Sequence, residues 1–156
     1  MLAITHGPAA PSPLPPDVPV IYWITLCVKR RQRILANPDT FAAITQTIME
    51  LRRWFVLSAV VMPDHFHALV SPQEDRDLPV GDFFTGFKRV LRQRLKHSWD
   101  WQRSGFDRLL RSDGDGQEKW IYMRENPVRA GLAGSWEEWP FYFDYREAPG
   151  EPRPHL

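Results

Sequence analysis

The chain has 156 residues, a hydrophobic fraction of 43%, a formal net charge of +1 and one cysteine. This length suits one domain with a core that folds without disulfides, and the lone Cys27 excludes a disulfide framework and indicates a reducing compartment. The sequence shows no basic-then-apolar leader and no apolar run long enough to cross a bilayer, so we predict a cytoplasmic protein with no membrane partner.

The first elements are an arm, a strand and a helix. Residues 1–19 are rich in proline and predict a flexible N-terminal arm. β-branched and aromatic residues from Val20 to Val28 predict a strand. Asn37-Pro38 is typical of a helix start, because asparagine caps well and proline is tolerated in the first turn. The apolar residues that follow recur at helical spacing: Phe41, Ile44, Ile48, Leu51 and Phe55.

A β-hairpin and a second helix come next. Strands are predicted at Val56 to Met62 and at His65 to Val70, and the short Pro63-Asp64 turn between them predicts antiparallel pairing. A helix is predicted at about 80–97, with apolar side chains on one side and most basic side chains on the other.

The last predicted elements are a strand and a short helix. Phe106 to Arg111 can form a fourth strand before a turn at 113–116, and Glu118 to Asn126 predicts a helix that ends or kinks at Pro127. The order β-α-β-β-α-β predicts an α+β fold, a ferredoxin-like split βαβ with an antiparallel sheet and helices on one face.

The second strand of the hairpin carries His65-Phe66-His67. Side chains alternate along a strand, so both imidazoles are predicted on one face and Phe66 on the other. Neighbouring neutral imidazoles can chelate a divalent ion that polarises a phosphate or a carbonyl. On its own, the pattern fits a pair of hydrogen-bonded core histidines better than a metal site.

Tyr122 and Asn126 lie four residues apart in the predicted short helix, and therefore on one helix face. If that face is turned toward the histidines, Asn126 can supply an oxygen ligand and Tyr122 a nucleophile. The alternative is structural, with the tyrosine ring packed at a helix–sheet junction and the asparagine capping the helix end before Pro127.

Basic residues are concentrated in the second helix. Residues 81–97 contain five basic side chains and one acidic side chain. This density suits a polyanionic partner such as nucleic acid. A solvated helix face is an equally good interpretation of the cluster taken alone.

Four segments together resemble, in order and spacing, the Y1 transposases with a His-hydrophobic-His motif, which belong to the HUH superfamily. They are Met62-Pro63-Asp64-His65-Phe66-His67-Ala68-Leu69-Val70, the basic helix around Lys88, Trp101-Gln102-Arg103-x-Gly105-Phe106, and Tyr122-x-x-x-Asn126-Pro127-Val128-Arg129-Ala130-Gly131-Leu132. Among these families the chain is most similar to the REP-associated tyrosine transposases, domesticated relatives of the IS200/IS605 transposases. The asparagine at position 126 points to that branch, since IS200-type members usually have glutamine there.

The resemblance implies a site and a reaction. His65, His67 and Asn126 are the implied ligands of Mg²⁺ or Mn²⁺, and Tyr122 is the implied nucleophile. Attack on single-stranded DNA gives a 5′-phosphotyrosine and a free 3′-hydroxyl, and the covalent link permits rejoining. The implied domain covers residues 20–134, followed by a C-terminal tail at 135–156.

The implied partners are single-stranded DNA and REP-like DNA hairpins, and the protein is expected at the nucleoid as a monomer or homodimer. The candidate DNA-binding residues are Lys88, Arg89, Arg92, Lys96 and Arg129, with the basic turn at 29–33 as a weaker candidate. Residues 103–108 depart from the family pattern, because they carry an extra residue before the glycine and lack a histidine after the phenylalanine.

Three functions are candidates for a chain with these motifs. The leading one is a metal-dependent single-stranded DNA endonuclease and strand transferase that acts next to REP-type hairpins. The second is a non-catalytic ferredoxin-like protein that recognises DNA hairpins, although a pure binder has no need of the histidines and the tyrosine. The third, a barrel hydrolase with a His-x-His strand, needs roughly 250 residues and further ligands from later strands.

Overall fold

The fold is described from a computed structural model, which covers residue 14, residues 16–111 and residues 113–146. Most of the predicted N-terminal arm and the last ten residues of the predicted tail lie outside the described residues. The strands are β1 Ile21–Cys27, β2 Trp54–Val61, β3 His65–Pro72, β4 Phe106–Leu110 and β5 Tyr142–Asp144. The helices are α1 Pro38–Glu50, α2 Val80–Leu95, α3 Asp113–Arg124 and α4 Asn126–Arg129.

The strands form one five-stranded antiparallel sheet in the order β4-β1-β3-β2-β5. β3 lies between β1 and β2, so the β1-α1-β2 unit is split by the second strand of the hairpin. This arrangement confirms the predicted α+β class and the split βαβ topology.

α1 and α2 cover one face of the sheet, as predicted. The core between them contains Ile24, Leu26 and Phe66 from the strands and Phe83 and Phe87 from α2, all with no exposed surface. These strand residues follow the period of two that places alternate side chains on one face.

α1 begins where the sequence predicts, because the Asn37 side chain accepts a hydrogen bond of 2.9 Å from the backbone N–H of Thr40. The helix ends at Glu50, earlier than the apolar spacing indicates. Phe55 therefore belongs to β2 and is 41% exposed, so its assignment to the apolar face of α1 is wrong.

α3 packs on the opposite face of the sheet. Its Met123 is fully buried in a second apolar cluster with Val60, Met62 and Tyr142. Trp23 of β1 packs against the same cluster, so the second face of the sheet is also partly covered. This packing places the tyrosine-bearing helix against the face of β1 that points away from the core under α1 and α2.

Two further segments differ from the sequence-based expectation. Residues 113–116, predicted as a turn, form the first turn of α3. Packing of Met123 on the sheet stabilises α3 in spite of its two glycines, since tertiary contacts override helix propensity. The predicted tail contributes β5, which pairs with β2 at the edge of the sheet.

The described part of the N-terminal arm contacts the loop before α2. The Arg76 guanidinium donates to the backbone carbonyls of Leu14, Pro16 and Val18 at 3.2, 2.8 and 3.3 Å. Among the helices that the described residues form, none combines the length and apolar composition needed to span a bilayer.

Candidate metal and tyrosine site

The two histidines lie on β3, in the middle of the sheet. His67 is opposite Thr25 of β1 and His65 is opposite Cys27. Both imidazoles share the face away from Phe66, and their ring centroids are 4.7 Å apart with the planes at 75°. The predicted side-by-side arrangement is therefore what the strand produces.

Each imidazole uses its Nδ1 atom for a hydrogen bond. His67 Nδ1 is 2.7 Å from the Thr25 hydroxyl, and His65 Nδ1 is 2.7 Å from a carboxylate oxygen of Asp64. The other carboxylate oxygen of Asp64 accepts from Arg31 Nε at 2.9 Å. The side-chain hydrogen bonds that His65 and His67 make within the described residues use Nδ1, which leaves both Nε2 atoms as candidate metal donors.

Charge and burial favour a neutral His67. Burial, together with the nearby charges of His65, Arg129 and Arg31, lowers the pKa of His67 to about 3 against the opposing effect of the Ile24 carbonyl. Burial raises the pKa of Asp64, but its hydrogen bonds from His65 and Arg31 outweigh burial and leave that pKa below its ordinary value. At neutral pH the site therefore holds a neutral imidazole at His67 and a carboxylate at Asp64, and a neutral imidazole is the form that binds metals.

Tyr122 is brought to the same face as the histidines. The Trp23 ring stacks on His67 with centroids 4.6 Å apart, and it meets the Tyr122 ring edge-on with centroids 6.1 Å apart. Tyr122 is 50% exposed, so its side chain remains accessible to a substrate. The sequence left open whether the tyrosine helix docks beside the histidines. In this structure it does, with Trp23 in contact with both His67 and Tyr122.

Basic side chains surround the tyrosine. The Arg129 guanidinium lies 3.6 Å from the centroid of the Tyr122 ring, and its Nη2 donates to the Tyr122 carbonyl at 2.5 Å. Lys119 Nζ lies 5.3 Å from the same ring. Cations at these distances are attracted to the face of an aromatic ring.

Asn126 is not on one continuous helix with Tyr122. α3 ends at Arg124 and α4 begins at Asn126, because Pro127 has no N–H to give to the carbonyl of Met123. The Asn126 side chain is half-buried and makes no hydrogen bond to another described residue. Its amide oxygen is thus available. Glu125, between the two helices, keeps right-handed helical φ and ψ angles of −83° and −4°, and the sharing of one helix face by Tyr122 and Asn126 stays a prediction.

The Nε2 atoms of His65 and His67 suit a divalent ion, provided that a ligand of another residue type completes the site. Within the described residues, no group of three histidine, cysteine, aspartate or glutamate side chains could hold a metal. An ion at the two Nε2 atoms therefore needs a ligand of another type, and an amide oxygen at Asn126 is chemically suited to Mg²⁺ or Mn²⁺.

The structure divides the basic residues of α2 between two surfaces. Lys88 and Arg92 line a cleft of about 520 Å³ with Lys29 and Arg103, which we call the basic cleft. Arg89 lines a separate cleft, which it shares with Arg52, Arg53 and the acidic residues Glu50 and Asp82. The basic cleft contains one acidic residue, Asp100.

Two of the predicted DNA-binding residues already bind protein atoms. In the basic cleft, Lys88 Nζ donates to the carbonyls of Gln102 and Arg103 at 3.3 and 3.4 Å, and Arg92 Nη2 donates to Asp100 at 2.6 Å. Burial lowers the pKa of Lys88. Lys96 is exposed just beyond the end of α2.

Sequence reasoning missed the residues that orient the site. Trp23, Thr25 and Arg31 contact it from β1 and from the turn after β1, and only the pairing of β1 with β3 brings them there. The alternation of β1 places Trp23 and Thr25 together on the face away from the core, which was the one available signal.

Known proteins resemble this chain in sequence and in fold. The family model described as "Transposase IS200 like" matches residues 18–107, which contain both histidines but end before Tyr122. A Haemophilus influenzae protein named as a REP-associated tyrosine transposase is 24% identical over 146 residues, covering 84% of this chain and 83% of that protein.

A solved structure of a REP-associated tyrosine transposase bound to a REP hairpin has a similar fold. It superposes with a TM-score of 0.66 at 22% identity and covers 81% of this chain and 77% of that one. The family match spans more than half of the chain, and the fold agrees with it. The chain therefore belongs to the IS200-like transposase family.

Proposed function

We propose that this protein is a metal-dependent single-stranded DNA endonuclease and strand transferase that acts next to REP-type hairpins through a 5′-phosphotyrosine at Tyr122. The observation that carries the proposal is the position of Trp23, whose ring contacts both His67 and Tyr122. A nucleophile and a pair of open imidazole nitrogens on one face are what a phosphoryl transfer of this kind requires.

The proposed cleavage and rejoining of the DNA strand need no external energy source. The Tyr122 oxygen forms a bond to the scissile phosphorus as the bond from phosphorus to the 3′-oxygen breaks, and the phenolic proton is lost while the 3′-oxygen gains one. A 3′-hydroxyl can attack the phosphotyrosine in reverse and rejoin the strand. Mg²⁺ or Mn²⁺ held by His65, His67 and Asn126 would polarise the phosphate and spread its developing charge.

The protein's own side chains position the nucleophile. Arg129 packs on the ring of Tyr122 and donates a hydrogen bond to the backbone carbonyl of the same residue. These contacts fix the junction of α3 and α4 beside the histidines. The same guanidinium can attract a DNA phosphate toward Tyr122. The half-exposed Tyr122 leaves room for a single strand to reach its hydroxyl.

The proposed DNA partner is a hairpin with a single-stranded 5′ flank. One relative of similar fold is bound to a REP hairpin, and the basic cleft of this chain gathers four cationic side chains. The cleft lies at the same end of the sheet as the histidines, since the chain from Cys27, which pairs with His65, leads directly into Lys29. A phosphate backbone in this cleft can therefore continue toward the tyrosine.

The proposal is tested by incubating the full chain with a REP-type hairpin oligonucleotide and Mn²⁺, labelled in parallel at the 5′ and the 3′ end. We expect the 3′-labelled strand to migrate with the protein on a denaturing gel, and the 5′ label to appear in a shorter free fragment. Hairpin binding without any adduct would contradict the proposed catalysis and favour the non-catalytic binder. A 5′-labelled adduct would contradict the proposed polarity.

Hairpin affinity should depend on the basic cleft more than on the second surface of α2. We expect Arg92→Ala to weaken binding several-fold and to reduce the slope of log affinity against log salt by about one, as loss of one phosphate contact does. Arg89→Ala is the matched control on the same helix, with a smaller expected loss because its cleft has two acidic and three basic side chains, against one acidic and four basic side chains in the basic cleft. Equal losses in the two variants would contradict this assignment.

A further inference from the structure

We propose that Asp64 and Thr25 are positioning residues that hold His65 and His67 in the tautomer with the proton on Nδ1, so that both Nε2 lone pairs are directed to one ion. The inference rests on the proposed function for the identity of that ion, but the tautomers themselves are a property of the protein alone. Neutral imidazole exists in two tautomers, and only a nitrogen without a proton can bind a metal.

At His65 the partner permits one tautomer only. The Asp64 carboxylate has no proton to donate, so the bond of 2.7 Å requires the proton on His65 Nδ1. Arg31 donates to the second carboxylate oxygen at 2.9 Å and holds the carboxylate in this orientation. The side chains of His65 and Asp64 are only 15% and 17% exposed, so water competes weakly for this bond.

At His67 the partner comes from the neighbouring strand. Register places Thr25 opposite His67, and the hydroxyl lies 2.7 Å from Nδ1. Trp23 stacks on the imidazole with the ring planes 28° apart, which limits rotation of His67 away from the hydroxyl. A hydroxyl can donate or accept, and the proposed arrangement has it accept from Nδ1–H.

The arrangement at Thr25 has a measurable alternative. If the hydroxyl donated to Nδ1, the proton of His67 would be on Nε2 and the two histidines could not bind one ion together. Partners that fix the tautomer of metal-binding histidines typically change metal affinity by about 10- to 100-fold when they are removed. The side-chain hydrogen bonds of Thr25 and Asp64 within the described residues go to the two histidines and to Arg31, and none goes to the tyrosine or to the proposed third ligand.

The experiment reads the tautomers directly by two-bond ¹H–¹⁵N correlation spectra of the full chain with ¹⁵N-labelled histidine, without metal, at neutral pH. We expect His65 and His67 to show protonated Nδ1 and bare Nε2. Thr25→Val, which keeps the branched shape suited to a strand, should move His67 toward the other tautomer, and Thr25→Ser should restore the wild-type pattern. Asp64→Ala should change His65 in the same way.

Metal affinity gives the second readout. Calorimetric titration with Mn²⁺ should show a loss of about tenfold or more in Thr25→Val and Asp64→Ala, and little change in Thr25→Ser. A protonated Nε2 on His67 in the wild-type protein would overturn the proposal, and so would unchanged tautomers in Thr25→Val. If the tautomers respond as expected but the wild-type protein forms no DNA adduct, the positioning role stands and the proposed function fails.

Discussion

A Tyr122→Phe variant is expected to bind hairpin DNA with wild-type affinity and to form no covalent adduct. The change removes only the hydroxyl, while the contacts of the ring with Trp23 and Arg129 remain. Loss of a nucleophile that forms a covalent intermediate should lower the cleavage rate by at least about a thousandfold. The measurement is single-turnover cleavage of a labelled hairpin, with affinity measured separately in the absence of metal.

Tyr145→Phe is the matched control for the tyrosine assignment. Tyr145 is 47% exposed, close to the 50% of Tyr122, and it contacts the Trp120 and Phe55 rings rather than the site. This variant should cleave at the wild-type rate. An adduct of normal yield in Tyr122→Phe would show that another residue is the nucleophile.

The second large effect concerns the histidines. His65→Ala and His67→Gln should each weaken Mn²⁺ binding by at least about tenfold, because each removes one of the proposed protein ligands. Addition of EDTA to the wild-type protein should stop DNA cleavage without releasing the hairpin, since none of the residues that line the basic cleft is a proposed metal ligand. Calorimetry with Mn²⁺ and the gel assay measure these two quantities.

His97→Asn controls for loss of any imidazole. His97 lies after α2, stacks on Trp99 and binds the Trp99 carbonyl through Nδ1. An asparagine amide can preserve that hydrogen bond, so Mn²⁺ affinity and cleavage should both remain. Cleavage that persists in EDTA would contradict the metal-dependent mechanism, and equal Mn²⁺ affinity in His67→Gln would remove His67 from the ligand set.

The local geometry of the histidines followed from the sequence because it depends on a period of two. Phe66 is fully buried in the core and both imidazoles point away from it, as alternation along β3 requires. The class of fold was predictable for a similar reason, since the order of strands and helices allows few arrangements. Asn37 capped α1 as expected because capping is a local interaction.

The sequence-based predictions of other elements failed where local conformational preference and tertiary packing compete. Residues 113–116 have the composition of a turn, yet they are helical because α3 is stabilised by Met123 against the sheet. The C-terminal strand β5 has three residues and little pattern of its own, and its pairing with β2 defines it. The separation of Arg89 from Arg92 arises from what α2 packs against, which helical spacing alone does not reveal.

The order of residues was enough to predict that His65 and His67 share a face, that Phe66 enters the core, and that the chain has the motifs of the Y1 transposases. Long-range packing was needed to show that α3 docks on the histidine face, with Trp23 between His67 and Tyr122. It also decided that β1 supplies Thr25 to His67. The physical reason is that alternation and capping act between neighbours in the chain, whereas docking depends on apolar surfaces and strand pairs that are distant in sequence.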